Sequence, residues 1–263
     1  SPGRKTIIAP WNIYLDSIYA IDRICNRHQV EIEFADVATS RLINISKQNK
    51  QRYREQVSEN YDLSKNDINN ILVERGFERA LKSYQLRNLK TLANLNSGAS
   101  FSVPGAGKTT EALAFYTVKR KKDDRLLVIS PINAFNSWND EIKECFNDVT
   151  LAFKVINTTD QDSALQILTG DDNLFLLNYE KLPRIIDALS RFMAEKPCFM
   201  VLDESHYIKS ISSQRGMAAV RLGHLPKFKL LLSGTPVPQD LNDLIPQFKF
   251  LYPEIPVTTY EVV

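Results

Sequence analysis

The sequence predicts an α/β fold, a parallel sheet flanked by helices, preceded by a smaller and mainly helical region. Four short aliphatic runs carry the first half of that prediction: RLLVIS (125–130), NLFLLN (173–178), CFMVLD (198–203) and KLLLSG (229–234). Each is closed by polar residues, as in strands buried on both faces. Between the runs, apolar residues recur at helical spacing, first Trp138, Ile142 and Phe146, then Leu182, Ile185, Ile186 and Leu189. Strands that alternate with helices build a parallel sheet and bind ligands beyond the strand C-terminal ends.

The first 80 residues have a different texture. IYLDSIYAIDRIC (13–25) is helix-like, VEIEFADVA (30–38) is ambiguous and KQNKQRYREQ (47–56) is polar and basic. Ser64 is placed to cap a helix carrying Ile68, Ile71 and Leu72, and Gly76 to end it. Residues 1–80 are therefore expected to form an accessory domain and residues 81–263 the principal one.

Composition bounds the function. With 43% hydrophobic and 24% charged residues the chain reads as an ordinary globular protein, and a formal charge of +2 makes no case for nucleic acid, so any basic surface must be local. No apolar run approaches the roughly 20 residues that cross a bilayer, and no signal-peptide pattern stands at the start. Cys25, Cys145 and Cys198 are odd in number and widely separated, which suits neither disulfides nor zinc and fits a reducing cytoplasm. The opening Ser1-Pro2-Gly3 has no initiator methionine and reads either as a cloning scar or as an excised fragment.

The strongest local signal is SVPGAGKTT (102–110), which follows a candidate strand and opens a helix. A loop in that setting aims several backbone N–H groups at a polyphosphate, and the helix N-terminus adds a positive dipole end. Pro104, Gly105, Ala106 and Gly107 would form the cradle, with Lys108 on the β- and γ-phosphates, Thr109 on Mg²⁺ and Thr110 completing the set. The competing structural reading is a glycine-rich turn before an ordinary helix.

VLDESH (201–206) closes an apolar strand with two adjacent carboxylates, a costly pairing unless a cation or a proton task justifies it. Opposite bound Mg-ATP, Asp203 would hold the metal and Glu204 would orient and deprotonate the attacking water. His206 would sense the γ-phosphate. LLLSGTP (230–236) then sets Ser233, Gly234 and Thr235 at another strand end, where small hydroxyls can report nucleotide state to the acidic box. Alone, the first segment reads as a solvated strand cap and the second as a turn; their order after Lys108 joins them.

That order resembles the first RecA-like lobe of Swi/Snf-like ATPases of helicase superfamily 2. LKSYQLRNLKTL (81–92) resembles the family's adenine-recognition segment, which implies Gln85 as the adenine reader. SVPGAGKTTEAL resembles motif I, SPINAFNSWNDEIKECF (130–146) motif Ia, FLLNYEKL (175–182) motif Ib, DESHYIKS (203–210) motif II and SGTPVPQDLNDLIPQFKFLYP (233–253) motif III. The resemblance implies nucleic-acid contacts at Pro131, Asn133, Asn178, Tyr179 and Lys209, although Pro131 and Asn133 also read as a simple helix-entry turn. The family usually carries Gly-Leu-Gly-Lys-Thr preceded by an acidic residue and methionine, whereas this chain has Val103-Pro104-Gly105-Ala106 before Gly107-Lys108-Thr109, which marks a divergent, microbial branch.

What the resemblance implies is an ATP-dependent translocase on duplex DNA, using ATP and Mg²⁺. A second RecA-like lobe, expected from elsewhere in the full-length protein, would supply the arginine fingers, so residues 1–263 alone should bind ATP yet hydrolyse it poorly. The alternatives are a strand-separating helicase or restriction-system motor, and a nucleotide-gated interaction module that docks a protein through its N-terminal domain. The basic runs 47–54 and 119–122 read as solvated faces or phosphate contacts, His28 and His224 as structural, and Trp11 and Trp138 as core anchors.

Overall fold

The computed structural model describes residues 11–29, 32, 36–58 and 63–253. Its first elements are α1 (Trp11–His28), α2 (Val37–Ser58), α3 (Lys65–Glu74), α4 (Ser83–Ala93), β1 (Ser97–Ser100), α5 (Lys108–Lys119) and β2 (Arg125–Ile129). Then come α6 (Phe135–Phe146), β3 (Lys154–Val155), α7 (Gln161–Leu168), β4 (Leu174–Leu177) and α8 (Ile186–Glu195). The last are β5 (Cys198–Asp203), α9 (Gln214–Leu222), β6 (Phe228–Leu232) and α10 (Ile245–Leu251). Most of the ambiguous run 30–38, the Trp11 side chain and residues 1–10 and 254–263 lie outside the described residues.

All four aliphatic runs become strands, joined by two further ones in a six-stranded parallel sheet of order β1-β6-β5-β2-β4-β3. Side chains alternate between the faces of a strand, so each run feeds two cores. Leu127, Ile129, Met200, Leu202 and Leu231 face α8, α9 and α10. Leu126, Val128, Phe199, Val201, Leu230 and Leu232 face α5 and α6. Leu182 and Ile185 do not open a helix as their spacing suggests: Pro183 sits in a 3₁₀ turn over Leu182–Arg184, and α8 begins only at Ile186.

The N-terminal helices pack directly on the sheet's two layers. Leu42 and Ile43 of α2 join the first core, and Ile68 and Leu72 of α3 join the second. Asn49 of α2 sets its amide nitrogen 3.0–3.2 Å from the carbonyls of His224, Leu225 and Pro226, satisfying a turn between α9 and β6. Ser64 caps α3 through a capping box with Asp67. Gly76 ends it at φ 76°, while Phe77 N–H donates to Leu72 O at 2.9 Å, which closes the helix in a Schellman turn. No helix of the described residues is long and apolar enough to cross a membrane.

Strand order positions the site. β1, β6 and β5 are parallel neighbours, so the segments that follow them emerge side by side at the C-terminal end of the sheet. The register sets Ser100 beside Leu232 and Leu232 beside Asp203. Ile129 pairs with Leu202, which brings Ser130 level with Asp203.

Candidate functional site

The loop from Phe101 to Gly107 leaves β1 and enters α5 through Gly105 at φ 78° and Gly107 at φ 77°, a region that costs a residue with a Cβ about 1–2 kcal/mol. Gly107 is constrained twice, since a Cβ there would stand 2.5 Å from Gln85 Nε2. Lys108 opens the helix and turns back over the loop, donating from Nζ to Ser102 O at 3.0 Å and Val103 O at 3.4 Å. Its ammonium thus lies where a cradle of amides would receive phosphate. Thr109 follows in the first turn, half-buried. Thr110 points elsewhere: its hydroxyl donates to Glu141 Oε1 of α6 at 2.5 Å. Glu111 is buried beneath the loop, holding Ser100 and Asn88, and burial raises its carboxyl above the usual range.

Two side chains of α4 brace this loop. Tyr84 donates its hydroxyl to Ala106 O at 2.8 Å. Gln85 is buried, accepts from Lys82 N at 2.9 Å and donates from Nε2 to Ala106 O and Gly107 O at 3.3 and 3.2 Å. Both ends of the amide expected at an adenine therefore touch backbone, and Tyr84 is a loop brace that sequence reasoning missed.

The acidic box sits one strand beyond β6. Asp203 ends β5 with only 8% of its surface exposed. Its Oδ2 accepts from Ser130 Oγ and Trp138 Nε1, each at 2.9 Å, and its Oδ1 from the Glu204 amide at 3.0 Å. Glu204 takes φ 50°, a conformation unusual for a residue with a side chain, at the point where the chain leaves β5. Glu204 Oε2 lies 3.3 Å from His206 Nδ1, and the same nitrogen lies 3.3 Å from Ser233 Oγ beyond β6. Ser233 in turn accepts from Thr235 N at 3.1 Å. A Cβ on Gly234 would stand 3.0 Å from Pro104 Cδ, a tight contact, so the third segment lies directly against the phosphate loop. Ser205 and Gln247 lock the acidic turn to α10 by a 2.6 Å hydrogen bond. The three segments thus meet as their order anticipates.

The expected nucleic-acid residues fare differently. Tyr179 requires a correction: it is fully buried, donates its hydroxyl to Asp203 O at 2.7 Å and stacks on Tyr207, so its side chain supports the acidic box instead of lining a surface. Pro131 has no amide hydrogen to offer a phosphate, and its carbonyl accepts from Ala134 N at 3.0 Å in the turn that starts α6. Asn133 is exposed in that turn. Asn178 is nearly buried and accepts from Lys181 N, and Lys209 donates to Gln239 Oε1 at 2.7 Å. Trp138 is the expected core anchor, wholly buried against Phe153, but its polar task at Asp203 was not legible in the sequence.

The donor set suits a magnesium nucleotide. Mg²⁺ keeps most of its waters and takes one or two carboxylates beside the phosphates, and Asp203 Oδ1, holding a single hydrogen bond, retains acceptor capacity for that role.

Residues 84–261 match the profile of the SNF2-related domain. The chain is 28% identical over 183 residues to the "SWI/SNF chromatin-remodeling complex subunit snf22" of Schizosaccharomyces pombe, an alignment covering 66% of this chain and 11% of that protein. It is 29% identical over 195 residues to the "Chromatin-remodeling ATPase INO80" of Drosophila melanogaster, covering 68% of this chain and 12% of that one. The aligned region is thus about a tenth of each relative's length. Among solved structures, the Sulfolobus solfataricus SWI2/SNF2 ATPase core in complex with dsDNA superposes with a TM-score of 0.58 at 23% identity, covering 71% of this chain and 39% of that one. The UvsW helicase of bacteriophage T4 superposes with a TM-score of 0.51 at 15% identity, covering 90% and 76% respectively. At these identities the superpositions speak for the fold.

Proposed function

We propose that this chain, which belongs to the family of SNF2-related domains, is the nucleotide-binding lobe of a motor that couples ATP hydrolysis to movement along duplex DNA. The observation that carries the reading is the meeting of three separate segments at the C-terminal end of the sheet: the Lys108 loop, where Pro104 lies against Gly234, Asp203 with Glu204, and Ser233 reached through His206. Duplex DNA as the track is supported by the fold relative solved with dsDNA and by the remodelling ATPases among the relatives.

In this reading the glycine loop and Lys108 bind the triphosphate, and Glu204 orients water and accepts its proton. His206 ties that carboxylate to Ser233, so a shift of either strand end is felt at the other. Bound Mg²⁺ would neutralise phosphate charge, with Asp203 and Thr109 as the residues that would hold it. Gln85 and Tyr84 keep the loop in its binding form. The region before residue 81, whose helices α2 and α3 pack on the sheet, offers a docking surface to a protein partner, and the three cysteines fit a reducing compartment. A second RecA-like lobe completes the site, since an arginine finger is worth roughly 10³–10⁵ in rate in related phosphoryl-transfer enzymes.

The test is ATP turnover by the full-length protein with and without duplex DNA, alongside Glu204→Gln. A motor shows DNA-stimulated turnover that the variant loses by about 10²–10⁴ while nucleotide still binds. Retention of cellular activity by the variant would instead assign a nucleotide-gated interaction module, and displacement of an annealed strand would assign a helicase.

A further inference from the structure

Asp203 is held in a lopsided way. One oxygen, Oδ2, accepts two side-chain hydrogen bonds from residues 73 and 65 positions upstream: Ser130 Oγ and Trp138 Nε1, both at 2.9 Å. The other, Oδ1, accepts only the adjacent Glu204 amide at 3.0 Å. Two donors engage the accepting capacity of Oδ2, whereas Oδ1 keeps a lone pair free. Ser130, Trp138 and Asp203 are nearly or wholly buried, so no water competes for these hydrogen bonds and the geometry they set is kept. The carboxyl plane is therefore fixed.

We propose that Trp138 and Ser130 are positioning residues for the metal-binding step: they engage Oδ2 and so commit Oδ1 to Mg²⁺. The proposal rests on the ATP-binding reading above and assigns to two side chains a task that the reading leaves open. Packing alone does not explain Trp138. Its ring is already fixed by Phe153, edge-on at 5.8 Å, and phenylalanine could fill much of that space. What only the indole adds is an N–H, which has no acceptor role and is spent on the carboxylate. Ser130 follows β2 directly, and its level with Asp203 is set by the pairing of Ile129 with Leu202. Both residues bracket the turn Ile132–Ala134, so any ligand that displaces this turn would move the donors that hold Oδ2.

The experiment uses the full-length protein as parent, Trp138→Phe and Ser130→Ala, and measures binding of a fluorescent ATP analogue, first in EDTA and then titrated with Mg²⁺. The proposal expects metal-free nucleotide affinity within twofold of the parent in both variants. It expects the Mg²⁺ concentration that half-completes the metal-dependent gain to rise about tenfold, the lower end of what outer-shell partners are worth at metal sites. An unchanged Mg²⁺ requirement in both folded variants overturns the assignment. Should Trp138→Phe lose its cooperative thermal transition, Ser130→Ala, which removes one donor and almost no volume, decides alone. A parent that binds no nucleotide with or without Mg²⁺ overturns the ATP reading itself, and the assignment with it.

Discussion

The Nδ1 atom of His206 stands 3.3 Å from the hydroxyl oxygen of Ser233, a contact between residues 27 apart in sequence that joins the ends of two neighbouring strands. Because the same nitrogen lies 3.3 Å from Glu204 Oε2, the imidazole links the Glu204 carboxylate to the segment packed on the glycine loop. His206→Ala is expected to leave nucleotide affinity within about twofold and to lower DNA-stimulated turnover about tenfold, ~1.4 kcal/mol at the barrier. Steady-state kinetics with and without DNA, beside equilibrium nucleotide binding, check the split. Equal loss in both measurements would show that the residue only shapes the pocket.

Gly105 and Gly107 offer a matched pair. Both sit near φ 78°, so alanine at either position meets about 1–2 kcal/mol of backbone strain. Only at Gly107 would the added methyl also strike a neighbour, Gln85 Nε2 at 2.5 Å, while at Gly105 it meets nothing within 4 Å. Gly107→Ala should therefore weaken ATP binding by at least ten times more than Gly105→Ala, as read by calorimetric titration.

Gln85 tests what its amide reads. Both its ends are engaged by Lys82 N and by the carbonyls of Ala106 and Gly107. Gln85→Ala is expected to weaken ATP and GTP binding by similar factors, about tenfold, because the loop that holds either triphosphate loses its brace. A loss confined to ATP would identify the side chain as an adenine reader.

His224 gives the chain a pH dependence of definite sign. Burial, reinforced by Lys229, holds the ring's pKa down to about 3 in the folded protein, against about 6.5 for a free histidine. Below pH 6.5 the unfolded chain takes up a proton that the folded one refuses, so this site costs stability as pH falls from about 6.5 towards 3, by up to about 1.4 kcal/mol per pH unit. Thermal unfolding of His224→Leu should fall less steeply than the parent between pH 6 and 4. Parallel curves would refute the assignment.

Much of the fold was legible because strands buried on both faces must be continuously aliphatic, and 198–203 becomes β5 without a change of boundary. The short strands were harder. Ser97–Ser100 carries little apolar signal of its own, and Lys154–Val155 pairs only along the sheet edge, so its side chains owe nothing to a buried pattern. The first 80 residues read in sequence as an accessory domain, yet Leu42, Ile43, Ile68 and Leu72 enter the two cores of the sheet.

The sequence by itself determined the chemistry available: a glycine loop ending in Lys108, a carboxylate pair closing a strand, and small hydroxyls closing another. These are local patterns, set by residues adjacent in the chain. Which oxygen of Asp203 is held, that Trp138 holds it, that Tyr179 is a buried support and that Gln85 grips the loop were decided only by the tertiary structure. The reason is physical. A hydrogen bond needs its partners within about 3 Å, and for residues 21 to 73 positions apart that proximity comes from strand order and register, which no single segment encodes.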